Sequence, residues 1–353
     1  MPKDMKSHRE NEICAAKIMM LVGAGISIPI GIPAMREIYA DFLERSKSNI
    51  TDSEKRMCEF LTNELGVRPD LEEFLLAANT ILDFPSSSLA TFVEKSVSPK
   101  TDSKSLQGYR RRVTDRAERV QAIRKRILEF LSRACFKFNQ DRSQKIFGEF
   151  VHAVSDVGCP VFSTNYDFSL EHVARKKDIA IEDNFVASGE RQIWNPEIHF
   201  PTGDALTLIK LHGSVTWYAD SEGEIERIES KTDINSAGKD VNQLIIFPTR
   251  FKDIYDQHFF ALYSHFLAVL SVAKILVVAG HSLRDDYLRA AIIEQLRKGN
   301  MRLIVIDPNF PSGLPSELGP APIGKSNLIT HVPYRFEEFS DDLAQMIRHC
   351  EPT

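Results

Sequence analysis

An apolar run, Ile18-Met19-Met20-Leu21-Val22, stops at Gly23-Ala24-Gly25, and few folds accommodate that junction. The run is continuous rather than alternating, as in a strand covered on both faces. Gly23-Ala24-Gly25-Ile26-Ser27 leads through Gly31-Ile32-Pro33 to Arg36–Leu43, which reads as helix. A buried strand, a tight turn and a helix start are the opening of an α/β sheet. Glycines lack a Cβ, so their N–H groups can approach a phosphate closely, and a helix start nearby favours its charge. A strand-to-helix turn that binds nothing would use the same residues. The dinucleotide fingerprint G-x-G-x-x-G is incomplete, because Ile28 stands at its third glycine. Asp41 and Glu44 lie in a helical pattern, not at the end of a second strand. The loop is a phosphate-binding candidate, but not of the dehydrogenase kind.

Composition narrows the classes. The chain has 353 residues, 43% hydrophobic and 26% charged, which excludes disordered and collagen-like classes and allows one large or two ordinary domains. A net charge of -5 gives no global attraction to nucleic acid or anionic membrane, and no sequence-specific nucleic-acid binding is expected. Cys14, Cys58, Cys135, Cys159 and Cys350 are too scattered for a C-x-x-C knuckle, so no zinc ribbon is expected. Their odd number and spread suit reduced thiols in a cytoplasm. Met1–Lys17 lacks the apolar centre of a signal peptide, and the stretch from Phe259 to Gly280 is broken by His265 and Lys274. A cytoplasmic protein without a membrane span is expected.

Residues 36–150 read as mostly helical, with breaks at Ser86-Ser87-Ser88 and Ser96–Lys100. From Leu106 a long amphipathic helix is predicted, with Val113, Ala117, Val120, Ile127 and Leu131 on one stripe. Its other face is basic from Arg110 to Arg126. That pattern suits a solvated face, partly held by Asp115–Arg119, better than a docking surface. Beyond Gly158 strands and helices alternate. Strands are predicted at Pro160–Thr164, Leu208–Leu211, Leu244–Phe247, Ile275–Ala279, Leu303–Ile306 and Ile329–Val332. Helices are predicted at Phe168–Ala174, Gln257–Val272, Asp285–Arg297 and Phe336–Ile347. The fold class is therefore α/β: a Rossmann-like parallel sheet with helices on both faces, built from 1–35 and 151–353, plus the helical insertion at 36–150. Most of its strands end in small or polar clusters: Gly-Ala-Gly, Asn-Tyr-Asp, His-Gly-Ser, Gly-His-Ser, Asp-Pro-Asn. Ligands of open α/β sheets sit outside the carboxyl ends of the strands, so these clusters are expected to meet in one crevice.

Four blocks, in this order, resemble the sirtuin superfamily: Gly23-Ala24-Gly25-Ile26-Ser27 with Gly31-Ile32-Pro33, Thr164-Asn165-Tyr166-Asp167, Leu211-His212-Gly213-Ser214 and Gly280-His281-Ser282-Leu283. The departures also inform. Protein-deacylating sirtuins usually carry a four-cysteine zinc module, absent here, and follow Gly-Ile-Pro with Asp-Phe-Arg where this chain has Ala34-Met35-Arg36. Asn165-Tyr166-Asp167 stands where they have Asn-Ile-Asp. The profile is more similar to bacterial sirtuin-like proteins of antiphage systems, which destroy NAD. The resemblance implies NAD as substrate and a homo-oligomer or a separately encoded defence partner such as a HerA-type ATPase or an Argonaute-type protein. His152, His172, His199 and His258 have no partners at metal-ligand spacing, so no metal is expected.

On that resemblance Asn165, His212 and Asp167 are the candidate catalytic residues. Asn165 can hold a water or ribose hydroxyl near C1′, and His212 can act as general base. Asp167 can accept from the carboxamide, cap the helix that follows, or do both. Gly23, Ala24, Gly25 and Ser27 are expected at the pyrophosphate, with Arg36 as counter-charge. Gly280 and Ser282 are expected near the phosphates or adenosine ribose, and Asp307 or Asn309 at that ribose, a plain turn fitting the last two nearly as well. Asp285 and Asp286 are expected to cap the following helix. The implied reaction is NAD+ hydrolysis to nicotinamide and ADP-ribose. The alternatives are an NAD-dependent protein deacylase and a non-catalytic module that senses NAD or ADP-ribose.

Overall fold

A computed structural model describes residues 18–45, 51–64, 66, 71–83, 103–196, 204–220, 222–228, 242–245, 257–309 and 328–349. Side chains of 103–117, and with them half of the predicted basic face, lie outside the described set, as do both serine-rich breaks. The chain divides into two compact units, 33–134 in one and the residues before and after it in the other.

Strand β1 (Ile18–Val22) opens the larger unit. The smaller unit is helical: α1 (Met35–Arg45), α2 (Asp52–Glu59), α3 (Leu71–Asp83) and nearly all of α4 (Ser103–Cys135). Tyr39 of α1 packs on Phe74 of α3, ring centroids 5.5 Å apart, and Phe42 meets Phe130 of α4 edge-on at 5.8 Å. Val120, Ile127 and Leu131 of the predicted stripe are buried, while Arg119 and Lys125 are exposed.

The larger unit continues with α5 (Gln140–Asp156), β2 (Val161–Ser163), α6 (Ser169–Lys176), β3 (Ala180–Glu182), β4 (Phe185–Ser188), β5 (Arg191–Trp194), β6 (Ala205–Lys210), β7 (Gly213–Ala219), β8 (Ile225–Arg227) and β9 (Asn242–Ile245). Then come α7 (Gln257–Val272), β10 (Ile275–Ala279), α8 (Asp286–Lys298), β11 (Arg302–Ile306), β12 (Ile329–Val332) and α9 (Phe336–His349). Seven strands form a parallel sheet in the order β12-β11-β10-β1-β2-β6-β3. Period-two alternation of side chains explains the unbroken apolar run of β1. Ile18, Met20 and Val22 enter the core beneath Phe147, Phe150, Phe336 and Leu343 of α5 and α9. Met19 and Leu21 enter the opposite core with Phe266, Val269, Leu288 and Ile292 of α7 and α8. Helices on both faces confirm the expected Rossmann-like class.

Chain order along the sheet reverses at β1: β2, β6 and β3 lie on one side, β10, β11 and β12 on the other. In open α/β sheets ligands bind at such a switch point, which here lies at the carboxyl ends of β1 and β10.

Of the strand predicted at Leu244–Phe247, Ile246 and Phe247 lie outside the described residues, and Leu244 and Ile245 do not belong to this sheet. Asn242–Ile245 pairs antiparallel with β7 in a second, five-stranded sheet ordered β4-β5-β8-β7-β9. Only Leu211 and His212 separate β6 from β7, too few for the crossover a further parallel strand needs. The chain turns instead into the antiparallel layer.

A buried ion pair fastens the second sheet to the end of β3. The Arg227 guanidinium binds the Asp183 carboxylate and Gln192 Oε1, and lies 4.8 Å above the Phe185 ring. Burial pushes the Asp183 carboxyl up to about 6, against the pull of Arg227. An acid whose folded pKa is raised stabilises the fold fully below its unfolded value and loses that contribution as pH rises through the folded one. Stability should therefore fall between about pH 4 and pH 6 from this group, and Asp183→Asn should flatten that slope. Urea unfolding midpoints across the window check it.

Candidate active site at the switch point

The glycine loop closes on the end of β10 through its backbone. Gly23 N–H donates to Ala279 O at 3.0 Å, and Gly25 N–H to Gly280 O at 2.8 Å. A Cβ on Gly25 would stand 2.6 Å from Gly280 Cα, and one on Gly280 2.6 Å from Ile26 N. The glycines are thus explained first by contact between two strand ends. Ala24 is exposed at the start of a single 3-10 turn, where helical N–H groups lack internal partners.

Ser27 is 2% exposed, turned inward. Its hydroxyl donates to Asp167 Oδ2 at 2.8 Å and accepts from Asn165 Nδ2 at 3.0 Å. Asn165 Nδ2 also donates to Gly23 O at 3.1 Å, and its backbone N–H to Ser163 Oγ at 3.1 Å. Asn165 Oδ1 is buried and has no hydrogen-bond partner among the described residues. Asp167 Oδ1 accepts from the Ser169 N–H at 3.0 Å and its hydroxyl at 2.5 Å, at the first residue of α6, whose N-cap is Phe168. Both Asp167 oxygens are therefore engaged within the chain.

The Asn165 segment runs beside the His212 segment. Leu211 N–H donates to Ser163 O at 2.8 Å, Val215 N–H to Tyr166 O at 3.0 Å, and the Tyr166 and His212 rings lie 6.4 Å apart. His212 is buried, with Nε2 3.1 Å from Asp285 Oδ2. Asp285 Oδ1 meanwhile caps α8, accepting from the N–H groups of Tyr287 and Leu288. One carboxylate both starts a helix and orients an imidazole, a pairing that makes the other ring nitrogen an acceptor in the neutral tautomer. Beneath them, Lys210 Nζ reaches Glu171 Oε1 at 3.2 Å and the Asp167 backbone oxygen, all out of water. The Cys135 thiol is raised well above its ordinary value by burial and then by Asp167.

Three of these groups escaped the sequence reading: Lys210, Glu171 and the second role of Asp285. A lysine within an otherwise apolar strand was the available signal.

The remaining expected residues are more dispersed. Gly280 ends β10 at φ +58°, and Ser282 is exposed two residues on. Asp307 and Asn309 follow β11, where Asn309 N–H donates to Asp307 Oδ1 at 2.8 Å in the geometry of a side-chain turn. Arg36 lies in α1 of the smaller unit. Among the described residues no cluster of His, Cys, Asp and Glu suits a metal ion, and no helix is long and apolar enough to cross a membrane.

Comparison with known proteins adds to this geometry. Among curated proteins none matches the chain. A solved Sir2 homologue–NAD complex aligns over 98% of this chain and 94% of its own, with 14% identity and a TM-score of 0.47. A Sir2 homologue variant bound to 2'-O-acetyl ADP-ribose aligns over 99% and 97%, with 14% identity and a TM-score of 0.45. Sir2Tm bound to a propionylated peptide aligns over 96% and 97%, with 14% identity and a TM-score of 0.37. The family model described as SIR2-like domain matches residues 160–318, just under half of the chain. Over that span, which holds Asn165, His212 and Gly280, the chain is similar to the SIR2-like family.

Proposed function

We propose that the chain is an NAD+ glycohydrolase whose reaction takes place beside Asn165 and His212. The observation that carries this reading is Asn165 Oδ1, a buried acceptor without a partner at the switch point, beside an imidazole held by a carboxylate. A buried polar atom left unsatisfied costs about 1–3 kcal/mol, so a donor from a water or a ligand is expected to complete it.

In NAD+ the nicotinamide nitrogen is a pyridinium, so the bond to C1′ breaks with its electron pair going to that nitrogen. The leaving group is then neutral without being protonated. The ribose centre becomes oxocarbenium-like, and a water oxygen forms the new bond to C1′ while its proton passes to a base. Asn165 Oδ1 accepts from that water or from a ribose hydroxyl. His212, oriented by Asp285, takes the proton. Ala24 and the ends of β1 and β10 lie toward the phosphates. Ser282, Asp307 and Asn309 remain proposed contacts to the phosphates and adenosine ribose.

The biological role follows the resemblance: a cytoplasmic, NAD-depleting effector of an antiphage system, assembled with copies of itself or with a separately encoded partner.

The test is nicotinamide release from NAD+ by purified protein without acylated peptide, with a candidate partner added in parallel. Asn165→Ala and His212→Ala should each lower the rate by about 100-fold, a usual contribution of a positioned acid–base group, while unfolding cooperatively. Full activity in both variants would reject the site. Release only on addition of an acyl-lysine peptide would make the protein a deacylase.

A further inference from the structure

We infer that Asp167 and Ser27 are positioning residues, whose joint task is to fix which end of the Asn165 amide faces the reacting sugar. The inference rests on the reading of Asn165 given above and takes Asp167 away from the nicotinamide carboxamide and Ser27 away from the pyrophosphate.

Polarity is forced along this chain of contacts. The Ser169 N–H is a backbone donor and cannot reverse, so whatever side-chain atom of residue 167 faces it must be an acceptor. An ionised carboxylate accepts at both oxygens, so Asp167 Oδ2 compels the Ser27 hydroxyl to donate toward it. With its single proton committed, Ser27 Oγ can only accept from Asn165. The amide must then present Nδ2 there, at 3.0 Å. Gly23 O, an acceptor only, demands the same end of the amide at 3.1 Å. Two independent acceptors therefore hold both Nδ2 protons, and Oδ1 is left as the one side-chain polar atom of Asn165 whose hydrogen bond the described residues do not supply. Asn165 thus offers an acceptor and no donor. It selects a water or hydroxyl that gives up a proton, and it cannot donate to a carbonyl or phosphate oxygen.

Asp167→Asn tests the wiring with almost no change of volume. The introduced amide must keep its oxygen toward Ser169 N–H, so its NH2 faces Ser27 and reverses the demand on that hydroxyl. Asn165 is then caught between Ser27, now led to donate, and Gly23 O, which still accepts.

Two readouts are needed. The first requires no turnover: the side-chain NH2 of Asn165, assigned by nitrogen-15 NMR in free protein through loss of its signals in Asn165→Ala. Its protons should be protected from solvent exchange at least 10-fold in the wild type, with the protection lost in Asp167→Asn and Ser27→Ala. Unchanged protection in both variants would overturn the wiring. The second is a double-mutant cycle on nicotinamide release. Asp167→Asn should slow the wild type by 10-fold or more and change the residual rate of Asn165→Ala less than 2-fold, because Asp167 acts through Asn165. Multiplicative losses would place Asp167 on the substrate and contradict the inference. Should wild-type protein release no nicotinamide, the proposed function falls, and the exchange measurement still decides the wiring.

Discussion

Gly280→Ala should lower the unfolding free energy by about 3 kcal/mol or more, the sum of a left-handed backbone penalty and an overpacking cost. At φ +58° any side chain strains the backbone there, and the added methyl carbon would also stand 2.6 Å from Ile26 N and 2.8 Å from Gly25 Cα. Those atoms are backbone, held by the Gly25–Gly280 hydrogen bond, so the clash is relieved only by moving the loop away from β10. Gly189→Ala supplies the control. Its φ is +64° but nothing lies within 4 Å of the added carbon, so only the backbone term of about 1–2 kcal/mol applies. Thermal unfolding should place Gly280→Ala well below Gly189→Ala. Equal shifts would mean that the two strand ends do not press together.

Lys210→Met should be comparably severe, at about 3–5 kcal/mol, because it leaves the Glu171 carboxylate buried without its counter-ion. Both side chains are nearly sealed, 2% and 6% exposed, and the ammonium also satisfies the Asp167 backbone oxygen. Methionine restores the stem but neither the charge nor the donors. Adding Glu171→Gln should return a large part of the loss, since the unpaired charge, more than the missing contact, drives the destabilisation. Urea unfolding of the two single variants and the double variant measures this. A double variant no more stable than Lys210→Met would refute the account of the pair.

These two sites mark where sequence reading stops. The β1 run, the turn after it, and helices such as Gln257–Val272 and Asp286–Lys298 were legible because their signals are local: apolar period, glycine, and an acid at the helix start. Strand-end clusters could be recognised for the same reason, as could a sheet whose central strands are buried on both faces. The antiparallel layer was not. Val186–Ser188 of β4 are exposed and β8 has three residues, so neither shows an alternation that separates it from loop. Pairings were hidden for a different reason. Lys210 and Glu171 are 39 residues apart and His212 and Asp285 are 73 apart, and only the order of strands in the sheet makes them neighbours. Ser27 shows the consequence: its place in a glycine loop suggested a phosphate contact, while the fold turns it toward Asp167 and Asn165.

The reaction proposed for the switch point is cleavage of the nicotinamide–ribose bond of NAD+ by water. A proton NMR time course of NAD+ with the purified protein, alone and with a candidate partner, tests this most directly. The account predicts one free nicotinamide and one ADP-ribose for each NAD+ consumed without any acylated peptide, and a rate about 100-fold lower in Asn165→Ala. NAD+ that stays intact under both conditions, or is consumed equally fast by Asn165→Ala, would contradict it.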